Sequence, residues 1–212
     1  MKRRAFPALF SLLFASALMG GCGGGGDGGL SNDSPGNNDL NTVVALGDSI
    51  TQGSECPCTP YPARLAGMIG KNVVNCGIGG SVARGNEGRA QAAINSYHPA
   101  YMIILYGVND VIHGGDAASI AASVNAMVAT CKANNVVPVL ATYPIPITGH
   151  AVFGGGTRSL NNALRDVASA QGIHCVDLES EFSGRPELYM PDGLHPNDAG
   201  TALMALAFAD LF

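Results

Sequence analysis

A regular alternation of short apolar runs and longer helical patterns constrains the fold most strongly. Five runs predict buried strands, at residues 42–47, 72–76, 101–106, 136–142 and 173–177. Five other stretches carry the Ala, Leu and Met spacing of helices that pack on a sheet, at residues 62–69, 87–97, 116–133, 158–170 and 198–211. Strands joined by helices imply right-handed crossovers and a parallel sheet covered on both faces. We therefore predict one α/β domain over residues 42–212, without internal repeats.

Four short polar segments accompany this pattern. They are Gly47-Asp48-Ser49-Ile50, Asn75 to Gly80, Gly107-Val108-Asn109-Asp110 and Asp192-Gly193-Leu194-His195-Pro196. The first three follow predicted strands. Ligands of open α/β sheets bind at the carboxyl ends of the strands, so we expect these segments to meet at one edge.

The polar groups in these segments suit acyl transfer. A serine hydroxyl needs a base within hydrogen-bond reach, and the base needs an acceptor that orients it. Ser49, His195 and Asp192 have the residue types for these roles, and an Asp three residues before a His can accept the Nδ1 proton. The oxyanion then needs donors that are already in place. We expect these to be the backbone N–H groups of Ser49 and Gly80 and the side-chain amide of Asn109.

In this order, the four segments resemble the sequence blocks of the GDSL, or SGNH, hydrolase family of esterases and lipases. Its signature residues correspond to Ser49, Gly80, Asn109 and His195, and its aspartate to Asp192. The resemblance implies a three-layer α/β/α fold with a flavodoxin-like five-stranded parallel sheet in the order 2-1-3-4-5. It also implies a carboxylic ester hydrolase with no cofactor and no metal.

Two positions depart from the family pattern. Ile50 stands where Leu is usual, which is an isosteric change at a position expected in the core. Ser81 and Val82 stand where many members carry Asp and Thr, a change that leaves the catalytic set intact and can reshape the acyl pocket.

Each candidate residue also has an ordinary structural explanation. Ser49 can cap a helix, Asn109 and Asp110 can form an Asx turn, and His195 can be a hydrogen-bonded core histidine. Their joint order and spacing favours the catalytic interpretation. Asp48 is expected to brace the turn. Four other histidines have no carboxylate at matching spacing, and the second and third of them are candidates for lining the cleft: His98, His113, His150 and His174.

The N-terminus predicts export. Three basic residues, 2–4, precede an apolar stretch over residues 5–19, and this combination is typical of a signal peptide. The apolar stretch is shorter than the roughly 20 residues that a transmembrane helix needs. The segment Leu18-Met19-Gly20-Gly21-Cys22 resembles a bacterial lipobox, with Met19 as a less usual residue. We expect a signal peptide over residues 1–21 and lipidation of Cys22. The alternative is ordinary secretion with an unmodified thiol.

Residues 22–41 are expected to form a linker, because Gly, Asn, Asp and Ser dominate and cannot bury enough apolar surface to order themselves. Such a tether spans roughly 25 Å. The lipoprotein resemblance implies several acyl chains and stable anchoring in the bacterial cell envelope, at the outer membrane or facing the periplasm. Without the signal peptide, 8 basic and 16 acidic side chains give a net charge of −8. This charge does not attract nucleic acid or anionic lipid. We expect a monomer.

With Cys22 lipidated, five of the six cysteines remain. A bridge between Cys56 and Cys58 would be strained, so we expect one of them to pair with a distant cysteine such as Cys76. No second pair or nearby histidine completes a tetrahedral zinc site in the sequence. Two others are expected to be buried thiols in a helix and a strand: Cys131 and Cys175.

The sequence therefore predicts a serine esterase or acylhydrolase. Loops 107–116 and 143–156 are the expected pocket walls, and small or medium acyl esters, thioesters and lysophospholipids are the expected substrates. Removal of acetyl groups from envelope glycans is the alternative within the enzyme class. A noncatalytic lipoprotein that binds lipid or glycan is the alternative outside it, and for such a protein we would expect loss of Ser49, His195 or Asp192.

Overall fold

The computed structural model describes residues 34–212. The predicted signal peptide, the lipidated Cys22 and most of the predicted linker lie outside these residues.

Five strands form one parallel sheet in the order β2-β1-β3-β4-β5. Their bounds are β1 Asp39–Gly47, β2 Asn72–Gly77, β3 Pro99–Leu105, β4 Val137–Ala141 and β5 His174–Val176. The last six residues of β1 and all of β4 are buried, as expected for strands covered on both faces. The α/β fold, its five parallel strands and their order are thereby confirmed.

The helices are α1 Ser49–Gln52, α2 Tyr61–Ile69, α3 Gly88–Tyr97, α4 Val108–Ile112, α5 Ala117–Ala133, α6 Gly154–Gln171, α7 Leu178–Phe182 and α8 Asp198–Ala209, with 3-10 helices at Thr148–Phe153 and Pro186–Leu188. Helix α2 packs against α8, whereas α5 packs against both α3 and α6. These two groups cover the two faces of the sheet. The five predicted helices are confirmed, and the short helices α1, α4 and α7 were not predicted.

The strand register sets the position of the functional loops. Gly47 at the end of β1 pairs with Gly77 in β2 and with Leu105 in β3. Three adjacent strands therefore end at the same level. The loops that carry Ser49, Gly80 and Asn109 all begin at this edge.

Strand β1 begins at Asp39, within the segment that we predicted as linker. The Asp39 N–H donates to the carbonyl of His98 at 2.9 Å, and its carboxylate accepts from the Thr42 hydroxyl at 2.7 Å. Residues 39–41 are exposed, and their strand conformation depends on these hydrogen bonds. Such bonds give no alternation of apolar residues in the sequence by which the strand could be predicted.

The disulfide pairing differs from our expectation. Cys56 is bonded to Cys58, and Cys76 is a free thiol, so the predicted distant partner is wrong. The turn at Pro57 brings the two Cα atoms to 5.1 Å, within the usual disulfide range, whereas an extended chain would hold them about 7 Å apart. Cys131 is buried in α5 as predicted, and Cys175 is half-buried in β5.

Candidate active site

Ser49, His195 and Asp192 form one hydrogen-bonded chain. Ser49 is the first residue of α1, directly beyond the end of β1, and its Oγ lies 2.9 Å from His195 Nε2. His195 Nδ1 lies 2.5 Å from Asp192 Oδ2. Ser49 is only 8% exposed. The three residues singled out from the sequence are thus brought together, with the hydroxyl and the carboxylate on opposite nitrogens of one imidazole.

The turn at Asp192 determines which atoms of this hydrogen-bonded chain carry protons. Its Oδ1 accepts from the backbone N–H groups of Leu194 at 2.9 Å and His195 at 3.1 Å. Burial alone would raise the pKa of Asp192, but the hydrogen bonds from the His195 ring and from these two amides outweigh it and lower the pKa. An ionised Asp192 can only accept, so His195 Nδ1 carries the proton and Nε2 accepts from Ser49.

Two of the expected oxyanion donors lie in adjacent loops. Gly80 has a φ of 70°, a backbone conformation that glycine adopts at little cost. Among the described residues, no protein acceptor takes its N–H. Asn109, in α4, donates one amide hydrogen to the carbonyl of Ser81 at 3.0 Å. That bond holds the Asn109 amide beside the Gly80 loop and leaves its second hydrogen available. The Ser49 N–H, at the first position of α1, has no intrahelical partner.

Asp110 ties two of these loops together. Its buried carboxylate accepts from the N–H of Ala83 at 2.7 Å and from that of Arg84 at 3.1 Å, and Arg84 Nε lies at 3.3 Å. The Asp110 side chain thus bonds to residues 26 and 27 positions away in the sequence, and not to its own turn as in the Asx turn that we considered. Asp110 therefore fixes α4 against the loop that follows Gly80.

Asp48 braces the nucleophile turn, as expected. Its Oδ1 accepts from the Ile50 N–H at 2.9 Å, and its Oδ2 accepts from the Tyr143 hydroxyl at 2.8 Å. Both side chains are completely buried. Burial raises the pKa of Asp48 to about 6. Sequence reasoning missed Tyr143, which lies 95 residues from Asp48 and carries no local signal.

Arg89 supports the same edge from α3. Its guanidinium donates to the carbonyls of Cys76 at 2.6 Å and Gly47 at 3.2 Å, close to the ends of β2 and β1. It also lies 5.6 Å from the centre of the Tyr106 ring. The Tyr106 hydroxyl in turn is 3.1 Å from Ser81 Oγ. Arg89 was not singled out from the sequence, because an arginine on an amphipathic helix normally points to solvent.

His150 lies beside the Asp192 turn. Its Nδ1 is 2.8 Å from the backbone carbonyl of Asp192. The other histidines without an assigned role lie elsewhere: His113 at the end of α4, His98 before β3 and His174 in β5.

A small cavity of about 10 Å³ lies against Ser49 and His195. Its other lining residues are Ile50, Gly53, Glu55, Cys56, Pro196 and Thr201. The wall beside the nucleophile thus includes the disulfide loop, and neither 107–116 nor 143–156, the expected walls, lines this cavity. A larger cavity of about 220 Å³ is lined in part by Ile145 and Ile147, but neither Ser49 nor His195 lines it.

Within residues 34–212, no cluster of three or more His, Cys, Asp or Glu side chains is arranged to hold a metal ion. No helix within this described range is long and apolar enough to cross a membrane.

A five-stranded parallel sheet with a serine, a histidine and an aspartate in one hydrogen-bonded chain at its carboxyl edge is typical of serine hydrolases. The GDSL-like lipase/acylhydrolase family matches residues 45–203, and the chain belongs to this family.

Solved structures share the fold. A structure described as a lipolytic protein of the G-D-S-L family from Desulfitobacterium hafniense has a TM-score of 0.71 at 24% identity, covering 81% of this chain and 99% of its own. A catalytic mutant of an acetylxylan esterase from Geobacillus stearothermophilus has a TM-score of 0.69 at 22% identity, covering 81% and 93%.

A curated relative is the uncharacterized lipoprotein YqeF of Bacillus subtilis, which is 32% identical over 113 residues. The match covers 50% of this chain and 40% of that protein, so the chain spans less than half the length of this relative.

Proposed function

We propose that the protein is a serine esterase or acylhydrolase that cleaves carboxylic esters or thioesters through an acyl-enzyme at Ser49. One observation carries the proposal: Ser49 Oγ, the His195 ring and the Asp192 carboxylate form a continuous chain with contacts of 2.9 and 2.5 Å. Such a chain activates a hydroxyl that is otherwise a poor nucleophile.

In the first half-reaction, Ser49 Oγ attacks the carbonyl carbon while His195 Nε2 accepts the hydroxyl proton. The oxyanion receives hydrogen bonds from the backbone N–H groups of Ser49 and Gly80 and from Asn109 Nδ2. Each such donor contributes roughly 2.7–4 kcal/mol in the transition state. His195 then returns the proton to the leaving alcohol or thiol, and the acyl group stays on Ser49.

In the second half-reaction, water attacks the acyl-enzyme with His195 again as base. Asp192 stays ionised throughout and holds the imidazole in the required tautomer. The lowered pKa of Asp192, which its hydrogen bonds maintain against burial, supports this role.

The cavity beside Ser49 favours a short acyl group. Its volume of about 10 Å³ is far below the roughly 300–1,000 Å³ typical of pockets for larger ligands. Small acyl esters and thioesters fit it best among the expected substrates, which also include medium-chain esters and lysophospholipids. The same volume favours the alternative, removal of acetyl groups from glycans. The structural likeness to an acetylxylan esterase is compatible with that alternative.

We also propose that Cys22 is lipidated and anchors the domain in the cell envelope, with secretion as the alternative. The lipobox-like segment supports this, as does the name of the B. subtilis relative, a lipoprotein.

The test is hydrolysis of p-nitrophenyl esters, from acetate to palmitate, by the purified full-length chain. Ser49→Ala and His195→Ala should each lower kcat by at least about 10⁴-fold. Ser96→Ala, which changes an exposed serine on α3, is the matched control and should keep full activity. Turnover in Ser49→Ala equal to that of the unchanged protein would contradict the proposal.

Two further measurements separate the alternatives. A much higher rate on acetylated sugars than on any p-nitrophenyl ester would favour the glycan acetylesterase. Tight ligand binding without turnover, and without labelling of Ser49 by an organophosphonate, would favour a noncatalytic binding protein.

A further inference from the structure

The side chain of His150 contacts the backbone of the turn that carries Asp192 and His195. The His150 Nδ1 atom lies 2.8 Å from the carbonyl oxygen of Asp192. A carbonyl oxygen can only accept a hydrogen bond, so Nδ1 of His150 must carry a proton. The mechanism proposed above makes no use of this contact.

The segment around His150 and the Asp192 turn are in direct backbone contact. The N–H of Ile147 donates to the carbonyl of Gly193 at 2.8 Å. Gly193 has a φ of 73°, and a Cβ atom added to it would lie 2.0 Å from Thr148 Oγ1 and 2.1 Å from the Ile147 carbonyl oxygen. Only glycine allows this approach. Two consecutive carbonyls of the turn, at 192 and 193, are therefore held by segment 147–150.

We propose that His150 is a positioning residue, which holds the Asp192–Gly193 peptide so that the Asp192 carboxylate stays aligned with His195. This rests on the function proposed above, because the alignment matters only if His195 acts as base. The Asp192 side chain and its carbonyl group branch from one Cα atom. A rotation of that peptide therefore moves the carboxylate relative to His195 Nδ1, from which it lies at 2.5 Å.

The surroundings of His150 explain why a side chain of this shape is used. The 3-10 helix that contains it places Phe153 near its ring, with 6.2 Å between the ring centres. No residue of the 3-10 helix is fully buried, and the hydrogen bond from the His150 side chain joins it to the catalytic turn together with the Ile147–Gly193 backbone bond. A single donor atom at the Nδ1 position is what the geometry requires.

The test uses a pair of amide substitutions. In His150→Asn, the side-chain Nδ2 occupies nearly the same place as Nδ1, two bonds from Cβ, whereas in His150→Gln the amide lies one carbon farther out. Misplacement of a catalytic group by about 1 Å can cost 10²-fold. We expect His150→Gln and His150→Ala to lose between about tenfold and 10²-fold in kcat, with KM little changed. His150→Asn should stay within about threefold of the unchanged protein.

The control is His98→Gln. His98 is exposed and lies before β3, at the opposite edge of the sheet from Ser49. The same chemical change there should leave both kcat and KM unchanged.

A second readout does not depend on turnover. The proton on His195 Nδ1, in its short bond to Asp192, gives a low-field proton resonance in the ¹⁵N-histidine-labelled protein, assigned by its absence in His195→Ala. We expect this resonance to be retained in His150→Asn and to broaden or shift in His150→Gln. If the unchanged protein shows the resonance but hydrolyses no ester, the proposed function fails and the positioning role is still tested.

Three results would overturn the positioning role. The first is a His150→Gln protein with unchanged kcat and an unchanged His195 resonance. The second is a His150→Asn protein as impaired as His150→Ala, and the third is a loss confined to KM. Either of the last two would mean that His150 contacts the substrate instead.

Discussion

At the scale of single residues, Asn109 divides its amide between two tasks. One hydrogen of Nδ2 goes to the Ser81 carbonyl at 3.0 Å, and the other is the proposed oxyanion donor. Replacement by alanine removes both. We expect Asn109→Ala to lower kcat by roughly 10²-fold to 10³-fold, with a smaller change in KM, because the oxyanion exists only beyond the ground state.

Steady-state kinetics on p-nitrophenyl acetate measures this effect. Asn95→Ala is the matched control, since Asn95 lies on the exposed face of α3 and bonds only to Gln91 in the described structure. An unaltered kcat in Asn109→Ala would remove Asn109 from the oxyanion site.

Asp48 makes stability depend on pH. Burial raises its pKa from the ordinary value of 3.8 to about 6. Between these pH values the folded protein keeps a proton that the unfolded chain releases, so stability is highest at the acid end and falls as the pH rises. Above about pH 6, Asp48 is charged in both the folded and the unfolded protein, so the free-energy cost of burying its charge no longer changes with pH. The whole shift corresponds to about 3 kcal/mol, most of which is lost across this window.

Urea denaturation at several pH values between 4 and 7 tests this prediction. Asp48→Asn keeps the size of the side chain and an acceptor for the Ile50 N–H, but it does not titrate. The free energy of unfolding of the unchanged protein should fall by roughly 2 kcal/mol relative to Asp48→Asn as the pH rises from 4 to 7. Parallel pH curves for the two proteins would show that Asp48 is ionised at no cost.

The residues that sequence reasoning found differ in kind from those it missed. Asp192 and His195 are three residues apart in one turn, so their partnership is visible in the sequence. Tyr143 and Arg89 act through contacts 95 and 42 residues away, with Asp48 and with the Gly47 carbonyl. Such partners depend on which strands are neighbours, and a single sequence does not contain that information locally.

At the scale of elements, the nucleophile helix α1 is held by a close approach to β2. A Cβ atom added to Gly77 would lie 2.2 Å from the backbone nitrogen of Gln52, a distance that real side chains do not adopt. We expect Gly77→Ala to force α1 away from β2. The cost should be at least about 1–3 kcal/mol of stability, typical of overpacking, together with a loss of kcat because Ser49 moves with α1.

Gly67→Ala is the control for this substitution. Gly67 lies in α2, where an added Cβ meets nothing within 4 Å, so alanine there should stabilise the protein by roughly 0.5–1 kcal/mol. Thermal denaturation and kcat of both variants would separate a steric effect at α1 from a general effect of replacing glycine. Equal stability of the two variants would contradict the close approach.

Helix α6 illustrates why element boundaries are harder to predict than elements. The sequence predicted its start at residue 158, because the three consecutive glycines before that position argue against a helix. In the structure the helix begins at Gly154. The structure explains the glycines: a Cβ atom on Gly156 would lie 2.6 Å from Val111 Cγ1. Contact with α4 thus outweighs local propensity. Helices α1, α4 and α7, of four or five residues, are too short to show any period.

At the scale of the whole molecule, the proposed site is assembled from distant parts of one domain. Ser49 and His195 are separated by 146 residues, and the register of β1, β2 and β3 brings their loops to one edge. The alternating pattern predicted a parallel sheet, but the strand order followed only from the family resemblance. Many orders satisfy the same alternation, and the choice among them depends on packing between helices that the pattern does not specify.

Since every proposed catalytic group lies within residues 49–195, the proposed anchor at Cys22 should affect location and not chemistry. A lipid with several acyl chains holds a protein stably at a bilayer, whereas an unmodified chain is released. We expect Cys22→Ser to move the protein from the membrane fraction to the soluble fraction, to abolish incorporation of labelled fatty acid and to leave kcat unchanged. Cys76→Ser, which alters a free thiol of the catalytic domain, should keep the label and the membrane location. Label that persists in Cys22→Ser, or that never appears in the unchanged protein, would instead favour ordinary secretion.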